Sequence, residues 1–416
     1  MNYIEALEYI HSVNWTFCKP GLERITELCG ALGDPQKDLR FIHVAGTNGK
    51  GSFCSMTESI LRAAGYKTGL YTSPYIKVFN ERMQVNGEMI SDAELAELTE
   101  YVKPIADAMT DKPTEFELIT AIAFEYFKRH ECDVVVLEAG MGGRLDSTNI
   151  IRSPILSVIT GIALDHTAFL GDTIEKIAAE KAGIIKDARP VLFGGEDEDA
   201  RRVIENKARE SGSGFFAVDY EKLTNVNATL DGTTLDFSEH KDIKINLLGL
   251  YQPRNAAVVL SAVDILRREG MDIPESAVRK GLENARWQAR FEILSREPLV
   301  IFDGAHNPQG IDSAVKSIGH YFGGRKIYVM TGVLKDKDYN VIATRLSEIA
   351  SRAFVMTPEN PRALAAEDYA EILGEKGISA KAYGSIKEAF EAAKKAAKED
   401  GIPLVCLGSL YVYSSI

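Results

Sequence analysis

The sequence has few cysteines, no long apolar run and no excess of basic residues, and each absence excludes a class of protein. Its 416 residues include five cysteines, an odd number with no CxxC pair, which argues against a disulfide scaffold. Cys132 and Cys406 lie in apolar, strand-like runs, where cysteine acts as a small hydrophobic residue. No stretch approaches the roughly 18 apolar residues of a membrane span, and the amino terminus lacks the pattern of a signal peptide. We therefore expect a cytoplasmic protein that does not contact membranes.

The charge balance restricts the partners. The chain has 48 Lys and Arg against 60 Asp and Glu, a formal net charge of −12, which argues against a general affinity for nucleic acid. A local basic pocket for phosphate is not excluded. With 45% hydrophobic and 26% charged residues, the composition is that of a globular protein, and its length predicts two or three domains.

From about residue 39 the pattern predicts an α/β fold, because short apolar strands alternate with amphipathic helices. The segment CDVVVLEAG is rich in β-branched residues without polar alternation, as in a parallel strand that is covered on both faces. Residues 214–247 interrupt this rhythm with short strand-like pieces. After a boundary near residue 295 the alternation restarts. We therefore expect a parallel-sheet domain with a phosphate loop over residues 1–295, followed by a smaller Rossmann-like α/β domain over residues 296–416.

The segment 43–52, HVAGTNGKGS, has the composition of a phosphate-binding loop between a strand and a helix. Gly46 and Gly49 let the backbone N–H groups turn inward, Lys50 adds a positive charge, and Ser52 offers a hydroxyl near a metal ion. The match to GxxxxGK[ST] is not literal, because the spacing of the glycines is shorter and an extra glycine separates the lysine from the serine. The alternative is an ordinary glycine-rich turn, which the flanking strand and helix disfavour.

Two further polar residues stand at the carboxyl ends of predicted strands. Glu138 ends CDVVVLE, and His166 follows the strand ILSVIT with Asp165 beside it. Because the carboxyl ends of parallel strands share one edge of a sheet, we expect both residues near Lys50. A carboxylate there suits Mg²⁺, whereas a satisfied loop carboxylate and a structural histidine are the alternatives. The sequence around Lys181, on the next helix, indicates by itself only a surface lysine or an ion-pair partner.

Six motifs occur in a fixed order along the chain. They are GTNGKGS, EAGMGGRLDSTN, DHTAFLGDTIEKIAAEKAGIIK, the helix start between Gln252 and Asn255, WQARFE and DGAHNP. In this order they resemble the Mur ligase superfamily, specifically its folylpolyglutamate synthase/dihydrofolate synthase branch, over essentially the whole chain. The resemblance implies that residues 1–295 form the ATP-binding catalytic domain and residues 296–416 the glutamate-ligase domain.

The resemblance also implies sites for ATP and for two Mg²⁺ ions, and it allows a monovalent cation. The residues that it carries over to ATP are Asn48, Gly49, Lys50, Gly51, Ser52, Asn255, Arg290 and Asp303. Those carried over to the metal are Ser73, Glu138 and His166. Lys181 resembles the lysine that is carbamylated in this superfamily, a change to N6-carboxylysine that turns a cation into a carboxylate-like anion. Lys50, Glu138, His166 and Lys181 form the implied catalytic set.

Folate or dihydropteroate and L-glutamate are the implied substrates, bound by a monomer. The residues carried over to the folate pocket are Gly21, Leu22, Glu23, Arg24, Arg82, Phe116, Glu117, Leu145, Asp146 and Ser147, and the loop over residues 73–82 would cover the substrate. The sequence departs from the family at two positions. Ala289 replaces a common glycine before Arg290, and Tyr75 stands where histidine is frequent.

The implied reaction is ATP-dependent addition of L-glutamate to tetrahydrofolate and to dihydropteroate, through an acyl phosphate. Positioning and charge neutralisation would carry it rather than a protein nucleophile. Two alternatives stay open. One is another amino-acid ligase of the superfamily, although only about 40 residues precede the phosphate-loop strand. The other is a nucleotide-binding ATPase that ligates nothing.

Overall fold

The structure, a computed structural model, describes residues 1–12 and 21–416 and divides them into two units. Cys18 lies outside the described residues. Unit 1 comprises the described residues of Met1–Thr224 together with Phe237–Ile243 and Asn255–Ala285. Unit 2 comprises Asn225–Asp236, Lys244–Arg254 and Arg286–Ile416.

The last boundary between the two units therefore lies at residue 286, and two earlier segments of the chain also belong to unit 2. The sequence, in contrast, suggests a single boundary near residue 295. Hydrogen bonds explain part of this difference. The backbone N–H groups of Gly249 and Leu250 donate to Tyr321 Oη (3.1 Å) and Ser317 Oγ (3.0 Å), so this segment is fixed to a later helix of unit 2.

Unit 1 is built on an eight-stranded sheet. Its strands are β1 Phe41–Ala45, β2 Thr68–Tyr71, β3 Met83–Val85, β4 Glu88–Met89, β5 Val134–Glu138, β6 Leu156–Ile159, β7 Val191–Phe193 and β8 Phe215–Ala217. The strand order is β4-β3-β2-β5-β1-β6-β7-β8. All neighbours pair in parallel except the antiparallel pairs β2–β3 and β3–β4. Strands β1 and β5 are buried throughout, as their continuous apolar sequences predict.

Ten helices accompany this sheet in the part of the chain that the structure describes. They are α1 Tyr3–Ser12, α2 Glu23–Ala31, α3 Lys50–Ala63, α4 Asp92–Ala108, α5 Glu115–Arg129, α6 Thr167–Leu170, α7 Ile174–Ala182, α8 Glu198–Glu210, α9 Gln252–Arg268 and α10 Glu275–Asn284. Helix α4 begins after Ser91, whose hydroxyl caps the amino terminus by accepting the Glu94 N–H. Helices α3 and α10 approach so closely that a Cβ on Gly281 would lie 2.4 Å from the Ile60 Cα.

The strand-rich interruption forms a separate three-stranded sheet of β9 Leu223–Thr229, β10 Gly232–Phe237 and β11 His240–Ile245, in the order β11-β10-β9. Its residues are divided between the two units.

Unit 2 contains a six-stranded sheet in which all neighbours pair in parallel except the antiparallel first pair. Its strands are β12 Glu292–Arg296, β13 Leu299–Phe302, β14 Ile327–Thr331, β15 Ala350–Val355, β16 Ser379–Ala382 and β17 Leu404–Leu407, in the order β12-β13-β17-β14-β15-β16. Its helices are α11 Pro308–Phe322, α12 Tyr339–Ser347, α13 Ala366–Glu375 and α14 Ile386–Asp400. The predicted fold class, two α/β parts with mainly parallel sheets, is confirmed.

No helix in the described residues is long and apolar enough to cross a membrane.

Candidate active site

The predicted phosphate loop lies at the carboxyl edge of the unit 1 sheet. It follows the central strand β1, which pairs with β5 on one side and β6 on the other, and β5 pairs in turn with β2. Ser73 follows β2, Glu138 ends β5, and His166 lies beyond the end of β6. The parallel topology therefore brings the ends of these four neighbouring strands to one edge, where ligands of α/β proteins bind.

The glycines of the phosphate loop are required by both backbone conformation and space. Gly46 and Gly49 have φ values of +155° and +88°. A Cβ on Gly46 would lie 1.9 Å from Thr160 Oγ1, and one on Gly49 would lie 2.8 Å from Asn255 Oδ1. Helix α3 begins directly after Gly49, so its first N–H groups and the positive end of its dipole face this turn.

Two lysine ammonium groups converge on one carbonyl of this loop. Lys50 Nζ and Lys181 Nζ donate to the Gly46 oxygen over 3.1 Å and 2.9 Å. Lys181 is only 4% exposed, although its sequence suggests a surface lysine. Burial and repulsion by Lys50 lower the pKa of Lys181 to about 7, against the attraction of Asp165 and Asp146. The edge therefore combines the positive charge of Lys50, which favours a bound polyanion, with a desolvated amine at Lys181 that loses its proton more readily than an exposed lysine.

Glu138 is the carboxylate next to these lysines. It is buried, with Oε1 3.8 Å from Lys50 Nζ and Oε2 accepting the Ser73 N–H over 3.3 Å. The Ser73 hydroxyl in turn accepts from Arg82 Nη1 (3.2 Å). The Glu138 carboxylate and the Ser73 hydroxyl are oxygen donors at adjacent strand ends, so their chemistry fits Mg²⁺.

His166 stands apart in character from Glu138. The His166 side chain is half exposed and its backbone φ is +49°. The backbone N–H of His166, and not its ring, donates to the Asp165 carboxylate (2.9 Å). Within residues 1–12 and 21–416, no group of three or more His, Cys, Asp or Glu side chains is arranged to hold a metal ion.

Two threonines that the sequence analysis does not single out fix the phosphate loop to the segment after β6. Thr160 Oγ1 donates to the Asn48 carbonyl (2.8 Å), and the Thr47 N–H donates to the Gly161 carbonyl (2.7 Å). Thr47 Oγ1 also accepts the Ala163 N–H over 3.1 Å. The only signal in the sequence is a threonine in each segment, which does not reveal a contact between residues more than 100 positions apart.

A cavity of about 370 Å³ lies in unit 1. It is lined by Gly21, Arg24, Arg82, Thr114, Glu115, Phe116, Glu117, Ile119, Leu145 and Ser147. Most residues expected to bind the folate are among them, whereas Leu22, Glu23 and Asp146 are not. Thr114, Glu115 and Ile119 were not expected there, although they flank the predicted pair Phe116 and Glu117.

Asp146 has a different place from the one that the resemblance suggests. Its buried carboxylate accepts the N–H of Met141 (2.9 Å) and the hydroxyl of Thr148 (2.6 Å), and burial raises its pKa. Thr148 Oγ1 also lies 2.8 Å from Nε2 of His43, and burial lowers the pKa of that histidine to about 3. Asp146 therefore shapes the glycine turn between Glu138 and the cavity instead of lining the cavity itself.

The two arginines of the cavity have different partners. Arg24 donates to Glu117 (3.0 Å), and this bond raises the pKa of Arg24. Arg82 lies over the rings of Tyr75 and Phe79, at 5.1 Å and 5.5 Å from the ring centroids.

In unit 2, the predicted nucleotide residue Asp303 directly follows β13 and is buried. Its carboxylate accepts the Tyr251 hydroxyl (2.7 Å) and the N–H groups of Phe291 (3.0 Å) and Ala305 (2.8 Å). Burial raises the pKa of Asp303, and the nearby Arg290 opposes this rise. Asn255, by contrast, belongs to unit 1, beside Gly49.

Comparison with known proteins matches two family models, the Mur ligase middle domain over residues 44–263 and the Mur ligase, glutamate ligase domain over residues 289–410. The chain is 40% identical to the dihydrofolate synthase/folylpolyglutamate synthase of Bacillus subtilis, over all of this chain and 98% of that protein. It is 37% identical to the folylpolyglutamate synthase of Lacticaseibacillus casei, again over all of this chain and 98% of that protein. A solved FPGS–AMPPCP–folate complex superposes with a TM-score of 0.87 at 36% identity, covering all of this chain and 98% of that one.

These matches confirm the resemblance seen in the sequence: the chain belongs to the folylpolyglutamate synthase/dihydrofolate synthase family of the Mur ligase superfamily.

Proposed function

We propose that this protein is an ATP-dependent ligase that joins L-glutamate to folates, and that it also joins L-glutamate to dihydropteroate. The observation that carries the proposal is the convergence of Lys50 and Lys181 on the phosphate loop, beside the Glu138 carboxylate. The family membership supplies the substrate class. The name of the Bacillus subtilis relative, which includes both activities, supports the second acceptor.

The nucleotide phosphates are proposed to bind the loop Asn48–Ser52 at the amino terminus of α3. Lys50 supplies a full positive charge, and the backbone N–H groups of the loop supply hydrogen bonds. The positive φ values of Gly46 and Gly49 set the direction of these N–H groups. Asn255 in unit 1 and Arg290 and Asp303 in unit 2 remain proposed nucleotide contacts.

Ser73, Glu138 and His166 would hold Mg²⁺ at the same edge. When bound, Mg²⁺ neutralises charge on the phosphates and polarises the transferred phosphoryl group. Two ions and an additional monovalent cation remain predictions from the family resemblance, as does the monomeric state.

Lys181 is proposed to be carbamylated. Its neutral Nζ would attack CO₂, forming an N–C bond and releasing one proton, and the product would be an anion in place of a buried cation. A lowered pKa makes the neutral amine available near neutral pH, and Arg144 and Glu180 keep the surrounding helix in place through their 2.8 Å ion pair.

In the proposed reaction a carboxylate oxygen of the acceptor attacks the γ-phosphorus of ATP, and ADP leaves. The glutamate amine then attacks the acyl carbon of the acyl phosphate and loses a proton, and inorganic phosphate leaves with the attacking oxygen. Lys50 stabilises the charge on the phosphoryl group in transit, and Arg82 and Phe116 orient the acceptor in the cavity.

The test is ADP release from purified protein with Mg-ATP and L-glutamate, with dihydropteroate and tetrahydrofolate compared as acceptors. Turnover with both acceptors supports the full proposal, and turnover with tetrahydrofolate alone restricts it to polyglutamate extension. No acceptor-dependent turnover, while ATP still binds or is hydrolysed, would favour another amino-acid ligase or a non-ligating ATPase.

A further inference from the structure

The loop over residues 73–82, called the covering loop below, is held together by one carboxylate. Glu81 is 8% exposed and accepts three consecutive backbone N–H groups. Its Oε2 accepts from Ile76 (2.7 Å), and its Oε1 accepts from Lys77 (2.9 Å) and Val78 (3.0 Å). Hydrogen bonds to an ionised acceptor are about twice as strong as neutral ones, so the side chain fixes the turn of this otherwise polar loop.

The turn determines where Arg82 lies. By folding residues 76–78 back toward the short 3-10 helix Phe79–Arg82, it leaves the neighbouring rings of Tyr75 and Phe79, whose centroids are 5.8 Å apart, both beside the Arg82 guanidinium. Arg82 Nη1 then reaches the Ser73 hydroxyl at the start of the loop, and Arg82 lines the cavity. Among the described residues, the Glu81 carboxylate is hydrogen-bonded within the covering loop, and Glu81 does not line the cavity or bond to the phosphate loop.

Arg82 depends on this loop, because no acidic partner holds it. Arg24, in the same cavity, is fixed by Glu117. Among the described residues no carboxylate forms an ion pair with Arg82, and its buried Nε has no hydrogen-bond partner. Its position is therefore set by two aromatic rings, one hydroxyl and the conformation of the covering loop.

We propose that Glu81 is a positioning residue of the ligase, which acts through the covering loop to place Arg82 for the acceptor substrate. The proposal rests on the proposed function for the identity of that substrate. This role needs both carboxylate oxygens as acceptors. In a glutamine, the N–H₂ group would face one or two of these backbone N–H donors, so at least one of the three hydrogen bonds would be lost.

The alternative is that Glu81 only stabilises the neighbouring strands. Its backbone carbonyl does so, since it accepts from Gln84 Nε2 (3.1 Å), but that bond does not need the side chain. The two roles can therefore be separated by changing the side chain alone.

The experiment compares Glu81→Gln with Glu88→Gln, a control on the exposed strand β4. For Glu81→Gln we expect the KM for tetrahydrofolate to rise about tenfold or more, as loss of a charged hydrogen-bond network implies, while the KM for ATP stays within about twofold. We expect Glu81→Asp, which keeps the charge, to recover part of the loss. Glu88→Gln should leave both constants unchanged.

Trypsin provides a readout that does not depend on activity. Lys77 is exposed, and the N–H of the bond that follows it is held by Glu81, so cleavage after Lys77 should be faster in Glu81→Gln than in the wild type or Glu88→Gln. Equal cleavage rates and an unchanged KM for the acceptor would overturn the proposal. A lowered Tm with unchanged KM values would also overturn it and assign Glu81 a structural role. If the wild type showed no ligase activity, the proposed function would fail, while the cleavage result would still report on the loop.

Discussion

The carboxyl edges of the two sheets both carry buried ionisable residues, but these residues differ in how far neighbouring groups stabilise their charge. At the unit 1 edge, two lysines share one backbone carbonyl, and one of them is driven to a pKa of about 7. At the unit 2 edge, the single carboxylate of Asp303 accepts three hydrogen bonds from its own unit. The first edge is arranged for an anionic ligand, and the second is arranged to hold its own loop.

The difference shows that a charged residue in a family motif can act in two ways. Lys181 is costly to bury as a cation beside Lys50, so a modification or a ligand there is favoured, and the adjacent Lys50–Glu138 ion pair makes this edge the candidate for chemistry. The Asp303 carboxylate accepts three hydrogen bonds without any ligand, and these bonds hold Tyr251 and the segment that carries Arg290 in place.

Removing the carboxylate at the unit 1 edge should have the largest effect. For Glu138→Ala we expect ADP release in the full reaction to fall by about 10³-fold even at high Mg²⁺, because the oxygen donor beside Lys50 is lost. Steady-state kinetics over a Mg²⁺ series provide the measurement, with the exposed Glu198→Gln on α8 as the control. A near-normal rate would remove Glu138 from the site.

Lys181→Ala should reduce activity by about 10²-fold with the fold intact, since the alanine cannot carry a carbamate. A short carboxylic acid added to the assay should restore part of the activity by supplying the missing anion. Lys176→Ala on the same helix, where an exposed lysine pairs with Asp172, is the matched control. Unchanged activity of Lys181→Ala would contradict the carbamate role.

The unmodified Lys181 should also make stability depend on pH. Its pKa is about 7 in the folded protein against 10.5 in the unfolded chain, so between these values the unfolded state binds more protons. In CO₂-free buffer the free energy of unfolding of the wild type, relative to Lys181→Met, should therefore rise with pH over this range, by at most about 1.4 kcal/mol per pH unit. Denaturant titrations at several pH values measure the difference. Parallel curves for the two proteins would show that the lysine is not desolvated.

Asp303→Asn tests the unit 2 edge, where the carboxylate is hydrogen-bonded within its own unit. An asparagine presents an N–H₂ group to one of three donors, so we expect unit 2 to lose about 2 kcal/mol of stability. Chemical denaturation measures the loss of stability, and hydrogen exchange at the amides of β13 shows whether it arises in this strand. The control is Asp368→Asn, at an exposed residue of α13. If stability did not change while ATP binding collapsed, Asp303 would act on the ligand and not on its own unit.

The smallest effect is expected at Ala289, which replaces the glycine common in the family. Ala289 has a φ of +55°, a left-handed conformation that costs an alanine about 1–2 kcal/mol, whereas Gly49, with a φ of +88°, meets a similar demand with glycine. Ala289→Gly should therefore stabilise the protein by about 0.5–1 kcal/mol. Ala392→Gly inside α14 should destabilise it by a similar amount. A destabilised Ala289→Gly would mean that the methyl group packs favourably enough to offset the strain.

The sequence was sufficient to predict the α/β class, the phosphate loop and the alignment of Lys50, Glu138 and His166 at one edge, because these follow from strand order and local pattern. It did not predict the burial of Lys181 or the bonds from Thr160 and Thr47, because those depend on contacts between distant segments. The hydrogen bonds that the Asp146 carboxylate accepts from Met141 and Thr148 also need the folded structure, since a motif gives the residue but not the direction of its side chain. The three N–H groups on Glu81 also need the folded loop, because a Glu-Arg pair in a polar segment looks like any solvated pair.

The most direct test of the central claim, that the unit 1 edge activates an acceptor carboxylate by phosphorylation, uses acceptor labelled with ¹⁸O in that carboxylate. During turnover with Mg-ATP and L-glutamate, we predict that one labelled oxygen per amide formed appears in inorganic phosphate, as mass spectrometry would detect. Amide formation with unlabelled phosphate would contradict an acyl phosphate and the role assigned to this edge.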